Sequence, residues 1–234
     1  MSKRIPTIQA WNGSADCLSC TIRSAALFSG LTQVDFDSFH EPVEQLTLEA
    51  GGVLYKEGDT GRHLYTVRSG LLKLVQYLPD GTQRIVRLVN STDVLGLEML
   101  VSDEYKHEVI ALRPAELCRY PKETVLQLSQ KNPQLHKELI ARWHKALNEA
   151  DEWITQLSTG SSRKRMANLL LRLPEEDPEE CTLLSREDIG SILSITLETA
   201  SRTISDFKRS GLITEIRHNH FKLDIPALQR VVAK

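Results

Sequence analysis

The sequence predicts an α+β fold: an N-terminal jelly-roll β-barrel, one long helix, and a C-terminal winged helix-turn-helix. Three observations predict it. From Leu46 to Tyr120, short alternating apolar runs are cut by glycine-bearing turns, the pattern of a sandwich or jelly roll. Between Ile140 and Leu157, apolar residues recur at alternating spacings of three and four over more than two heptads. From Ser185 to Gly211, two capped helical segments flank a tight turn, and two strand-like runs follow them.

Residues 1–27 read as an N-terminal arm whose one chemical feature is Cys17-Leu18-Ser19-Cys20. A lone C-x-x-C has three meanings: metal or cluster ligation, a redox pair, or two incidental thiols. A thioredoxin-like pair needs a strand before it and a helix after it, whereas this one follows a polar tail and precedes a β-rich region. The chain's four cysteines, Cys17, Cys20, Cys118 and Cys181, are too few and too scattered for a secreted disulfide framework. No apolar run is long enough to span a membrane, and MSKRIPTIQAW lacks the apolar core of a signal peptide, so the expected location is cytoplasmic, with no membrane partner.

Residues 28–130 are expected to form the barrel. Its predicted strands are Leu46–Leu48, Val53–Tyr55, Leu64–Val67, Leu71–Tyr77, Gln83–Leu88, Val109–Leu112 and Ala115–Tyr120. Asp80-Gly81 closes a hairpin, and Gly58 and Gly70 permit sharp corners. Jelly rolls also serve metal-dependent enzymes, which need two histidines one residue apart on a barrel strand. The strand region from Leu46 to Tyr120 offers only His63 and His107, and the one H-x-H, His218 and His220, falls in the C-terminal region.

Helix resumes at Lys122, with Pro133 tolerated in a first turn. Residues 131–160 carry the seam Ile140, Trp143, Leu147, Ala150, Ile154 and Leu157, flanked by Lys145, Glu149, Asp151 and Glu152. Charged flanks favour an exposed helix pairing with its copy in a homodimer; packing on its own barrel is the other reading.

Residues 161–234 form the predicted winged helix-turn-helix. Ser185 caps the first helix, Thr196 the second, and Gly211 stands where a left-handed residue ends a helix. Leu197, Ala200, Ile204 and Phe207 form the inward stripe, leaving Glu198, Ser201, Arg202, Ser205 and Arg209 outward. These are base-reading types: arginine forks onto guanine O6 and N7, glutamate accepts from cytosine N4, and serine serves several edges. The formal net charge is only −2, so a double-stranded DNA partner would have to meet a local patch such as Arg163-Lys164-Arg165, Lys208-Arg209 and Arg217.

The segment LSREDIGSILSITLETASRTISDFKRSGLI resembles the C-terminal motif of the CRP/FNR transcription regulators, and its E-T-A-S-R core is similar to the FNR branch. The resemblance implies a dimer in which Glu198, Ser201 and Arg202 read a TTGAT-N4-ATCAA-like palindromic operator, with RNA polymerase as a further partner. Leu54-Tyr55-Lys56-Glu57-Gly58-Asp59 and the run Leu64 to Lys73 resemble the family's cyclic-nucleotide-binding-type sensor barrel. Relatives that bind cyclic AMP hold its phosphate with a Gly-Glu and an Arg-Ser pair. Here Gly96-Leu97-Glu98 is in place, but residues 104–108 offer no Arg-Ser, so cyclic AMP is not the expected effector.

Cys17, Cys20 and Cys118 resemble ligands of the family's iron-sulfur cluster, while its remaining ligand position aligns with Ala26. The resemblance thus leaves two sensing routes, a cluster completed by another ligand or a thiol-disulfide switch among these cysteines, beside no sensing role at all. No catalytic residue is expected. The competing classes are a thiol- or metal-dependent enzyme on a jelly roll, and a regulator with a small-molecule effector in the barrel.

Overall fold

The computed structural model describes residues 3–5, 27, 43–173 and 177–233. Their fold is α+β and divides into two compact units, one running to Gln76 and resuming over Arg87–Leu147, the other comprising Tyr77–Val86 and the chain from Asn148 onward.

The N-terminal fold is built from two sheets. Strands β1 (Lys3–Ile5), β2 (Val43–Leu48), β4 (His63–Ser69), β7 (Val94–Leu95) and β9 (Ala115–Pro121) form one, in the order β1-β2-β9-β4-β7. The other runs β3-β8-β5-β6, from β3 (Val53–Tyr55), β5 (Leu72–Tyr77), β6 (Gln83–Val89) and β8 (Glu108–Ala111). Sequence neighbours rarely pair within a sheet, as a jelly roll requires. Val67, Leu72, Val75, Val109 and Leu117 are fully buried. Gly70 turns the β4–β5 corner at φ 95°, and a Cβ there would lie 2.3 Å from the Pro114 carbonyl oxygen, so both backbone and space demand glycine.

Three tyrosines gather in this unit. Tyr55 and Tyr105 stack with ring centroids 3.7 Å apart, Tyr65 lies 5.9 Å from Tyr55, and the Tyr105 hydroxyl donates to the His63 carbonyl at 2.8 Å. Burial pushes the Tyr55 phenol well up. The neighbouring His107 imidazole is pulled down chiefly by burial, against the carboxylate of Glu98. Its folded value is depressed below the ordinary 6.5, so the unfolded chain binds the proton first, and stability is lost as pH falls below about 6.5. Melting temperature is therefore expected to drop between about pH 7 and pH 5, and His107→Gln should flatten that drop. An unchanged acid slope in the variant would assign the loss to other groups.

Helix α1 (Lys122–Lys131) ends at Asn132, whose extended backbone suits the residue before a proline. Pro133 then opens helix α2 (Pro133–Glu152), and Asn132 Oδ1 accepts from the Gln134 and Leu135 N–H groups. The first turn expected to tolerate Pro133 is that of this second helix, of which it is the first residue. Leu135 and Leu139 are buried, while Ile140, Trp143, Leu147 and Ile154 are 56, 41, 61 and 60% exposed. The described residues leave this row of four side chains largely uncovered.

Leu157 departs from that row. A π turn over Trp153–Leu157 follows α2, and its wider i→i+5 pitch inserts a residue into the seven-residue pattern. Leu157 swings inward and is fully buried, so it is a core residue of the C-terminal unit and not a seam residue. The turn is anchored to helix α3 (Ser162–Leu170) and the residues after it. Asn168 Nδ2 donates to the Gln156 carbonyl at 2.9 Å, and Arg172 reaches Glu152 at 2.7 Å.

Candidate nucleic-acid interface

Helices α4 (Arg186–Leu193) and α5 (Leu197–Arg209) form the predicted hairpin. Ser185 Oγ accepts from the Asp188 N–H at 3.0 Å and donates to its carboxylate at 2.8 Å; Thr196 Oγ1 accepts from the Thr199 N–H at 3.2 Å. Ser194, left-handed at φ 55°, ends α4. The tightness of the corner explains Gly190, where a Cβ would stand 2.8 Å from the Ile195 carbonyl oxygen. The sequence gives no hint of that approach, because it depends on how the chain returns.

On α5, Ala200, Thr203, Ile204 and Phe207 are buried. Burying a side chain the size of phenylalanine contributes about 1.5–3 kcal/mol, and exposed ion pairs contribute about 0.2–1 kcal/mol, so apolar packing holds this helix in place. Leu197, expected in the inward stripe, is instead 50% exposed. It is the first residue of the helix and lies at the edge of the buried arc, where no core reaches it. Thr203 is buried in its stead, its hydroxyl donating to the Thr199 carbonyl at 2.8 Å.

Glu198, Ser201, Arg202, Ser205 and Arg209 all lie opposite that stripe, within an arc of roughly 100° at about 100° per residue. Ser201 is half-buried and the others exposed. Arg202 pairs with Glu198 one turn earlier, Arg209 with Asp206, and Ser205 Oγ donates to the Ser201 carbonyl. The Arg202–Glu198 pair is exposed on both sides, worth about 0.3–0.5 kcal/mol, and a bidentate contact to guanine is worth about 1–3 kcal/mol, so the pair yields to a base.

A three-stranded sheet follows, ordered β10-β12-β11, from β10 (Glu180–Thr182), β11 (Ile213–Arg217) and β12 (His220–Leu223). The wing predicted from two strands thus gains a third. Asn219 turns the hairpin at φ 58°, and its side chain donates to the Leu183 carbonyl at 2.8 Å. Glu215 ties the wing to α5, accepting from Lys208 Nζ at 2.5 Å and from the Asn219 N–H at 3.2 Å. Lys208 and Asn219 hold the Glu215 carboxyl below the usual carboxylate range. His220 bridges two β10 side chains, Glu180 at 2.9 Å and Thr182 at 3.0 Å.

The expected basic patch is divided. Arg165 donates to the Leu193 carbonyl, Arg163 lies over the Phe207 ring with its Cζ 5.0 Å from the centroid, and Lys208 and Arg209 are paired with acids. Arg217 stands exposed on the wing.

Of the cysteines, Cys118 is half-buried on β9, at the same rung as Gln45 on β2 and Thr66 on β4. Thr66 Oγ1 and Gln45 Oε1 are buried with no hydrogen-bond partner among the described residues. Cys181 is fully buried on β10. Cys17, Cys20 and Ala26 lie outside the described residues. No cluster of three or more histidine, cysteine, aspartate or glutamate side chains arranged to hold a metal occurs among the described residues. No helix among them is long and apolar enough to cross a membrane.

Comparisons with known proteins agree with this geometry. The family profile of the Cyclic nucleotide-binding domain matches residues 45–132, and that of the Crp-like helix-turn-helix domain matches residues 164–231. The chain is 27% identical to the Fumarate and nitrate reduction regulatory protein of Vibrio cholerae over 215 residues, 88% of this chain and 86% of that protein. It is 28% identical to the Transcriptional activator protein anr of Pseudomonas aeruginosa over 208 residues, 86% of this chain and 85% of that protein. Among solved structures, FixK2 from Bradyrhizobium japonicum shares the fold with a TM-score of 0.74 at 23% identity, over 82% of this chain and 98% of that one.

Proposed function

The chain belongs to the CRP/FNR family of transcription regulators, and on that premise we propose that it binds a TTGAT-N4-ATCAA-like palindrome as a homodimer in the cytoplasm. The observation that carries the reading is α5: its apolar stripe is buried, its N-terminus is capped, and Glu198, Ser201, Arg202, Ser205 and Arg209 project from the opposite face. Helices of this kind enter the major groove by their first turns. The exposed row Ile140, Trp143, Leu147 and Ile154, with the smaller Ala150 between, pairs with its copy and sets the two heads about 34 Å apart, one turn of DNA. Val101, 81% exposed beside the loop Ser102 to Lys106, belongs to the surface offered to RNA polymerase.

Regulation enters through Cys17, Cys20 and Cys118 as a response to oxygen or redox state. The name of the Vibrio cholerae relative, which concerns fumarate and nitrate reduction, supports this reading. An iron-sulfur cubane takes four thiolates. The chain offers three, because Cys181 is sealed in the core of the DNA-binding unit, so the set falls one ligand short and the proposal rests on the thiols themselves. Oxidation joins Cys118 to an arm cysteine, two thiols giving up two protons and two electrons to the oxidant. Cyclic AMP is not the effector: residues 104–108 lack the phosphate fork, and Tyr105 from that stretch is stacked on Tyr55.

The test is operator affinity of the parent and Cys118→Ser, measured with and without oxidant, alongside the iron content of protein prepared without oxygen. Parent affinity is expected to change several-fold or more between the two conditions, while Cys118→Ser holds one affinity in both. Stoichiometric iron and sulfide would replace the thiol switch with a cluster. An equal redox response in the variant would remove Cys118 from sensing.

A further inference from the structure

The C-terminal helix α6 (Ile225–Ala233) packs against α3, and between its outer side and the start of α3 lies an open groove of about 980 Å³. Leu212, Ala227 and Val231 give it an apolar floor, and Arg163, Lys164 and Arg230 stand around it. None of these three cations has an acidic partner among the described residues. Elsewhere in the unit Arg172, Arg202, Lys208, Arg209 and Lys222 are each paired with a carboxylate, whereas the groove gathers three cations whose charge is not met by one. No acidic residue lines the groove.

We propose that this groove docks an amphipathic helix of a protein partner, one with an apolar row flanked by glutamate or aspartate. The floor is what a phosphate backbone has no use for and an apolar row fills. The rim supplies the charge that such a helix lacks. Position argues the same way. Arg163 lies on Phe207, which belongs to the buried stripe of α5, so the groove sits behind the reading face. A helix docked there leaves Glu198, Ser201 and Arg202 open to DNA.

The experiment uses the full-length protein and a fluorescein-labelled amphipathic peptide of about 18 residues, roughly 27 Å as a helix, with leucines on one face and glutamates on the other. Controls replace its glutamates by lysines or scramble the leucine row. The acidic peptide is expected to bind and both controls to fail. Arg230→Glu, a substitution at an exposed position, should weaken the acidic peptide at least tenfold, admit the lysine peptide, and leave operator affinity within twofold of the parent. Val231→Glu should abolish binding of the acidic peptide while near-UV circular dichroism stays native. The proposal is overturned by equal binding of acidic and lysine peptides, or by indifference to Arg230→Glu. It also fails if Arg230→Glu lowers affinity for operator and scrambled DNA alike, an outcome that assigns the groove to DNA phosphates.

Discussion

Leu147→Glu is expected to dissociate the proposed homodimer and to cost operator binding at least two orders of magnitude. Leu147 is 61% exposed in the single chain, at the middle of a row with Ile140, Trp143 and Ile154. Covering each such side chain contributes about 1.5–3 kcal/mol, and two-fold symmetry counts every residue twice. A carboxylate in that seam meets its own copy, and burying it without a partner costs several kcal/mol. A loss of about 4 kcal/mol weakens the dimer close to a thousandfold. The monomer left behind spans one half-site, so dissociation and loss of operator binding should appear at the same protein concentration. Sedimentation showing an intact dimer would move the interface off this row.

Arg202→Ala should weaken operator binding by about 1–3 kcal/mol per half-site and relax the preference at one base pair in each. The proposed dimer would read two half-sites, so the combined loss expected is about 2–6 kcal/mol, from roughly thirtyfold upward. The folded protein gives up almost nothing, since both Arg202 and Glu198 are exposed. Thermal stability is therefore expected to stay with the parent while affinity and specificity fall. Equal loss on every DNA sequence would make Arg202 a phosphate contact instead.

What could be read from the residues was whatever local chemistry decides. Ser185, Thr196 and Gly211 cap and end their helices by short-range hydrogen bonds and backbone preference, and each was legible because its effect lies within a few residues. The barrel strands were legible from alternation and from Gly70 and Asp80-Gly81. Long-range decisions were not. Strand β10 has three residues and exists only because β12 pairs with it. Leu157 fits the seam by spacing, and the π turn that removes it depends on anchoring by Asn168 and Arg172. Leu197 fits the stripe but falls beyond the core that would cover it. The short α6 carries Pro226 in its first turn, where a proline loses no helical hydrogen bond, and its nine residues give too short a pattern to stand out locally.

Selection from a pool of random double-stranded DNA tests most directly the claim that α5 reads a palindrome as one of a pair. Repeated rounds of binding to the parent protein should enrich two TTGAT-like half-sites, inverted and separated by four base pairs, and Arg202→Ala should lose the preference at one position in each. A pool that stays random, or that converges on a single unrepeated site, would contradict the assignment of both the reading face and the dimer.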